Sequence, residues 1–310
     1  MIRLKKAAGS LKNINRMKDE FISNYQRFLF PYAYNIIGNV DDALDVVQES
    51  IVKFIESDAS KILNPKSYLV KIVVNQAINF RNLIRHKREN YIGAWLPEPV
   101  STENNAIHQI DRNNIVSYSL MVLMEKLSPK ERAVFLLKEI FNYNHDEIAG
   151  IFDISIENSR QLLKRARLKI KNDEPGNHIH PADNLFVESF VAALNRADFS
   201  LLENLLREDV QIKTDSGGKV KAARNVIDGK ENTLKFIRGI VRKFYEGSRV
   251  KVVNMNRQHA FVLIKNETIE NIILFDSEEN KISHIYLIRN PEKLKNISFG
   301  KEFILQNPVS

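Results

Sequence analysis

The chain has 310 residues, 44% of them hydrophobic, a formal net charge of +8 and no cysteine. That is apolar material for about two or three domains, and the excess of cations favours a polyanionic partner. Disulfides and thiolate metal sites are excluded, the histidines show no ligand spacing such as HExxH, and no apolar run approaches the roughly 20 residues of a membrane span; no metal, cofactor or membrane is therefore expected.

Residues 1–17 are basic but lack the apolar core of a signal peptide, so they read as a disordered extension of a cytoplasmic protein, with Met17 an alternative start. From Lys18 the pattern is helical. Tyr25, Phe28, Leu29, Tyr32 and Ile36 fall on one face, and Gly38-Asn39 ends that helix. The next helix turns Ala43, Val47, Ser50, Ile51 and Phe54 inward and Asp41, Asp42, Asp45, Gln48 and Glu49 outward. Asp41/Asp45 and Asp45/Glu49 are like-charged pairs four residues apart, which a basic partner surface would relieve. An ordinary solvated face is the alternative.

Ser57 to Pro65, which includes Lys61, is a polar loop. The following helix, to Asn90, has an apolar stripe at Leu69, Ile72, Val73, Ala77 and Phe80. It also concentrates Asn75, Gln76, Asn79, Arg81, Asn82, Arg85, Lys87 and Arg88, with Tyr68 and Tyr91 nearby. Amides that read base edges, cations that meet phosphates and rings that stack on bases suit single-stranded DNA. Trp95-Leu96-Pro97-Glu98-Pro99 breaks the helix and imposes an extended course. Its tryptophan, the only one in the chain, is expected to dock on a domain. A polar linker follows, and helix resumes near Asn113 and runs to Lys126.

Ser128, Pro129 and Glu131 form a capping box for a helix whose Ala133, Phe135, Leu136, Leu137 and Ile140 build a core. His145 to Phe152 is a short helix, Asp153-Ile154-Ser155 a tight turn, and Ser155 the N-cap of a longer helix. From Ile156 to Lys171 there are six basic residues and one acidic residue. Leu163, Ala166 and Ile170 make the apolar side, and Arg160, Lys164, Arg167 and Lys171 make a cationic stripe. A short helix, a turn and a basic helix constitute a helix-turn-helix, whose second helix enters the major groove. A helical hairpin with a solvated basic face is the alternative.

Asn172 to Asn177 is linker by composition. His178 to Asn195 and Phe199 to Leu206 are predicted helices, Asp209 to Thr214 a strand, and Asp215-Ser216-Gly217-Gly218 a turn. A helix runs from Gly229 through Tyr245. Strands follow at Val250 to Asn254, Ala260 to Lys265, Asn271 to Asp276 and Ile282 to Arg289. Helices followed by an antiparallel sheet is an α+β plan.

These segments resemble a known family. Asp41 to Ile55 is similar to the core-polymerase-binding helix of bacterial sigma factors, and Leu127 to Phe152 with the helix after it resembles sigma region 4. RENYIGAWLPEP (Arg88 to Pro99) and SRQLLKRAR (Ser159 to Arg167) resemble the extracytoplasmic-function (ECF) sigma factors that carry a SnoaL-like C-terminal extension, the SigJ-like subgroup. Two motifs of that extension stand here as Asp215-Ser216-Gly217-Gly218-Lys219 and Asn290-Pro291-Glu292-Lys293-Leu294, with Ser216 in place of a glycine and Glu292 in place of an aspartate. Asp153 occupies a turn position where glycine is frequent, and Asn79 stands where the family often has aspartate.

The resemblance implies a multi-domain chain: two all-α domains followed by an α+β, NTF2-like domain. The expected order is sigma region 2 at 18–93, the WLPEP linker at 94–112, region 4 at 113–172, a short linker at 173–180, the SnoaL-like domain at 181–294 and a tail at 295–310. It implies no enzymatic activity and two partners, promoter DNA (duplex and single-stranded) and core RNA polymerase, through its clamp and flap. Asp41, Asp45, Gln48 and Glu49 would bind polymerase. Lys61, Asn75, Asn79, Arg81, Arg85, Lys87 and Arg88 would open and hold the −10 element. Ser159, Arg160, Gln161, Lys164, Arg165 and Arg167 would engage the −35 element. Trp95, Leu96, Pro97, Glu98, Asp215, Gly217, Gly218, Lys219, Asn290 and Pro291 would join linker and extension in a regulatory contact.

Two other functions fit parts of the chain. One is an NTF2-like enzyme with a DNA-binding appendage, for which Asp215, Asp228, Asp276, His259 and His284 are candidates by composition. The other is a dimeric helix-turn-helix repressor that binds a palindrome without polymerase. A ligand in the C-terminal pocket is left open.

Overall fold

The computed structural model describes residues 22–58, 62–102, 114–171, 180–181, 189, 190, 192–194, 196, 198–244, 248–278 and 280–297. Its helices are α1 (22–37), α2 (Val40–Glu56), α3 (Pro65–Glu89), α4 (Tyr118–Leu123, continued by a 3-10 turn), α5 (Pro129–Glu139), α6 (His145–Phe152), α7 (Ile156–Lys171), α8 (189, 190 and 192–194), α9 (Phe199–Leu205), α10 (Lys230–Phe244) and α11 (Pro291–Leu294). Its strands are β1 (His180–Pro181), β2 (Leu206–Asp215), β3 (Ile227–Asp228), β4 (Arg249–Met255), β5 (Gln258–Lys265), β6 (Thr268–Glu278) and β7 (Lys281–Ile288). No described helix is long and apolar enough to cross a membrane.

The chain divides into two compact units. One unit is Met1–Leu83, His108–Ile115 and Pro129–Leu163; the other is Ile84–Ile107, Val116–Ser128 and Lys164–Ser310. α5, α6 and the start of α7 belong to the first unit, and α4 to the second. Helix was expected from near Asn113, but α4 begins at Tyr118, where the Ser117 side chain accepts from the Leu120 amide and caps it.

In the first unit α1 is buried on every side from Leu29 to Ile37. Gly38 allows the chain to turn at φ 81, and Asn39 then caps α2 by accepting from the Asp42 amide. α2 buries Ala43, Val47, Ser50 and Ile51, and α3 buries Leu69, Val73 and Ala77, the stripes expected from their spacing. The α1 carbonyls of Ile36 and Ile37 receive Arg81 Nη1 at 2.7 and 3.4 Å, and Asn35 O receives Arg132 Nε at 2.7 Å. Two buried cations thus complete the negative end of one helix. Tyr32 stacks on Phe141 with ring centroids 3.8 Å apart.

The second unit is an α+β domain built on a mixed sheet of order β3-β2-β7-β6-β5-β4, with β1 pairing β6. β2 and β7 run parallel and the other pairs antiparallel. Ile272–Phe275 in β6 and Ile285–Ile288 in β7 are continuous apolar runs because both sheet faces are covered there. Phe261, Ile273, Phe275, Ile285 and Leu287 face one core with Phe190, Leu194, Leu202 and Leu234. Their neighbours Ala260, Val262, Ile272, Leu274, Tyr286 and Ile288 face a second core, completed by Leu96, Tyr118, Val122 and Leu294. The linker and α4 are thus part of this domain's interior. His180–Pro181, expected within a helix, pairs with Ser277 and Asp276 instead.

Candidate functional site

The acidic face of α2 is formed as the spacing requires. Asp45, Gln48 and Glu49 are exposed and Asp41 is half-buried. Gln76 of α3 reaches back to this face, its amide lying 3.3 Å from Glu49 Oε2 and its carbonyl accepting from the Ser50 hydroxyl.

The residues of α3 grouped by sequence as DNA contacts separate into two sets. Asn79 and Arg85 are exposed, Arg85 pairing with Glu89 one turn on. Arg81 is corrected: it is buried and committed to the end of α1. Arg88 is also corrected. Its guanidinium lies over the Trp95 ring at 3.5 Å and pairs with Glu125 at 3.0 Å, so linker and α4 neighbours hold it. Asn75 donates to Lys71 O and to Ile151 O at the end of α6, at 2.8 and 3.1 Å. Lys61 and the Lys87 side chain lie outside the described residues.

The helix-turn-helix is closed by local chemistry. Asn144 and Glu147 form a reciprocal capping box at the start of α6. Asp153 takes the left-handed conformation (φ 51, ψ 50) that ends α6, and Ser155 Oγ accepts from the Asn158 amide to start α7. On α7, Leu162, Leu163 and Ala166 are buried, whereas Arg160, Gln161, Lys164, Arg165 and Arg167 are exposed. Ser159 is corrected: it is fully buried, and its hydroxyl meets His145 Nδ1 at 2.9 Å. It positions α7 on α6 instead of facing solvent.

In the second unit the two extension motifs converge on the linker. The buried Asp215 carboxylate accepts from Tyr91 Oη at 2.5 Å, the Leu96 amide at 2.9 Å, the Gly217 amide at 3.1 Å and Lys293 Nζ at 2.6 Å. Lys293 also donates to Leu96 O and lies 4.2 Å from the Trp95 ring. Burial holds the Lys293 pKa below the ordinary lysine value, and the Asp215 charge opposes that shift. Burial, followed by the hydrogen bond to Asp215, pushes the Tyr91 phenol well above its usual range. Asn290 donates to Tyr91 Oη at 2.8 Å and caps α11 by accepting from the Glu292 amide.

Glycine is required beside this cluster. A Cβ on Gly217 would lie 2.6 Å from Asn290 Nδ2, and one on Gly218 2.8 Å from Ile92 Cδ1, both at positive φ. Pro97 and Glu98 are buried, Pro97 O accepts from Tyr118 Oη, and Lys219 pairs with Glu292 at the surface.

Sequence reasoning missed Asn256, and it offered Asp276 only as an acid–base candidate. Asn256, in the β4–β5 turn, accepts from the Val100 amide, donates to Val116 O and sends its own amide to Val100 O. It ties together the chain on both sides of residues 103–113. Asp276 accepts from Tyr286 Oη at 2.6 Å and from the Ser119 hydroxyl of α4. An Asn at the tip of a hairpin, and an Asp ending an apolar strand run, were the available signals.

The concave core holds a cavity of about 20 Å³ lined by Phe190, Leu194, Ile212, Phe236, Ile237, Ile240, Ile273, Ile285 and Leu287. That is room for about one water molecule, and no polar lining group would hold it. The acid–base candidates do not gather there. Asp215 and Asp276 serve the linker and α4, and Asp228 binds Gln211 at the surface. His284 stacks on Tyr286, and burial and then Lys213 lower its pKa to about 4. His259 pairs with Asn254 across β4–β5. Among the described residues no cluster could hold a metal.

Residues 21–88 match the family model for Sigma-70 region 2, and residues 117–170 match that for Sigma-70, region 4. The ECF RNA polymerase sigma factor SigJ of Mycobacterium tuberculosis is 31% identical over 228 residues, covering 72% of each chain. The probable ECF RNA polymerase sigma factor SigI of the same species is 23% identical over 275 residues, 87% of this chain and 92% of that one. The crystal structure of M. tuberculosis extracytoplasmic function sigma factor SigJ matches with a TM-score of 0.73 at 26% identity, over 90% of this chain and 98% of that chain.

Proposed function

The chain belongs to the ECF RNA polymerase sigma factors, proteins of transcription initiation that are not enzymes, and from that premise we propose how its residues divide the work. Asp45, Gln48 and Glu49, with Asp41 beside them, bind a basic surface of the core polymerase clamp in the cytoplasm. Their exposure on one helix whose other face is buried supports this. Asn79 and Arg85 on α3, with Asn75 once released from Ile151, hold the single-stranded −10 element. Arg160, Gln161, Lys164, Arg165 and Arg167 dock α7 at the −35 element. Arg and Gln suit base edges there, and Lys suits phosphate.

We further propose that the C-terminal domain modulates this activity through the linker. The observation carrying this is the Asp215 carboxylate, which takes hydrogen bonds from both Tyr91 and Leu96 on the segment joining the two DNA-engaging regions. A linker stored inside a folded domain sets how far those regions can separate. In-vitro transcription with core polymerase tests it: ending the chain near residue 177 should change output from a fixed promoter. Unchanged output together with unchanged polymerase affinity would defeat the proposal.

A further inference from the structure

The residues that connect β2 to β3, Ser216 to Val226, include Lys219, Lys221 and Arg224 and no acidic residue. The backbone of this loop is held in one shape. Gly217 and Gly218 turn it at φ 59 and 71, Lys219 N donates to Ser216 O at 3.0 Å, and Arg289 Nη1, just past β7, donates to Lys221 O at 2.7 Å. Glu292 neutralises Lys219. Lys221 and Arg224 are exposed, and no described residue pairs with the side chain of either.

An exposed cation is ordinarily no more than a solvated one. These two are set apart by their place. The segment leaving α3 turns at Gly93 (φ 85), where a built Cβ would lie 3.7 Å from Arg224 O and 4.0 Å from Arg224 Cα. Arg85, exposed near the end of α3, belongs to the same compact unit. Even with the chain after Glu89 fully extended, the Arg224 backbone lies within about 25 Å of Arg85, which is about seven base pairs of duplex at 3.4 Å each. We propose that the β2–β3 loop is a further DNA contact, in which Lys221 and Arg224 take phosphates of the duplex between the −10 and −35 elements. The chain runs from α3 through the linker to the −35-reading helix, so groups beside the start of the linker lie on the spacer side of the −10 element. Contacts to phosphate position a protein without reading sequence. The C-terminal domain thereby adds affinity to promoter binding, besides holding the linker. The inference rests on the assignment of α3 to the −10 element.

Titration of a labelled promoter duplex with the complex of the full chain and core polymerase, at several salt concentrations, tests this. Each lost phosphate contact lowers the slope of log K against log salt by about 0.9, so Lys221→Gln with Arg224→Gln should lower it by about 1.8, and each single variant by about half that. The advantage of the parent over the double variant should then shrink about tenfold between about 50 and 200 mM salt. Lys281→Gln, exposed at the far end of β7 from this loop, should leave the slope unchanged. On a template cut just upstream of the −10 element, parent and double variant should bind alike. An unchanged slope, an equal deficit on the cut template, the same loss from Lys281→Gln, or weakened binding of core polymerase before DNA is added each overturns the proposal; the last would place the loop on polymerase. A parent complex that does not distinguish promoter from other DNA overturns instead the functional reading beneath it.

Discussion

Asp215 and Lys293 meet at 2.6 Å with both side chains shut off from water, and Tyr91, the linker residue Leu96 and Gly217 donate to the same carboxylate. A buried pair of this kind is retained at a large desolvation cost, and removing one member leaves the other charge stranded. Asp215→Asn should therefore destabilise the second unit by about 3–5 kcal/mol. Lys293→Met should cost less, because Asp215 keeps three other donors. The double variant should be more stable than Asp215→Asn alone. Urea unfolding of the three variants measures all three values.

Gly217, beside the Asp215–Lys293 pair, should differ from Gly150 in α6. Gly217→Ala brings a Cβ against the Asn290 amide at positive φ, so it should cost about 2–3 kcal/mol, strain and a displaced hydrogen bond together. Gly150 is helical with nothing within 4 Å of a built Cβ. Gly150→Ala should raise stability by about 0.5–1 kcal/mol. Thermal unfolding separates the two signs.

His284 makes the second unit sensitive to acid. Its pKa falls from 6.5 to about 4 in the folded chain, so between those values the unfolded chain binds a proton that the folded chain refuses. Stability is full above pH 6.5 and declines as the pH drops towards 4, by up to about 3 kcal/mol. His284→Gln should remove that part of the decline. Equal slopes for parent and variant between pH 7 and 4.5 would contradict it.

Substitutions on α7 should sort by role. Lys164→Ala should weaken binding of the polymerase complex uniformly across promoters and reduce the salt slope by about 1. Arg160→Ala or Gln161→Ala, if either reads a base, should cost about 1–3 kcal/mol and relax preference at one −35 position. Promoter titrations at several salt concentrations distinguish the outcomes.

Local chemistry made much of this fold legible in the sequence. The bounds of α6, the turn at Asp153 and the Ser155 cap follow from residues within one helical turn of each other. The strands from β4 to β7 follow from short apolar runs bounded by turn residues. Arg81, Arg88 and Ser159 were misplaced because a polar residue on a helix looks the same whether it faces DNA or completes a buried partner far away in sequence. Arg81 answers carbonyls at Ile36 and Ile37, and Ser159 answers His145. Arg132 carried a usable signal, since it sits one turn before Leu136 on the apolar side of α5. So did the unbroken run Ile272 to Phe275, which needs cover on both faces. Reading it that way would have pointed to the linker and α4 as the second cover.

Run-off transcription with purified core polymerase on a pool of random promoter fragments tests the assignment of roles most directly. The expected result is new transcripts starting at a fixed distance from a two-part motif, lost in the Asp45→Ala, Glu49→Ala variant although that variant folds. Equally tight recognition of the same DNA by the chain alone, or undiminished transcription by the variant, would contradict it.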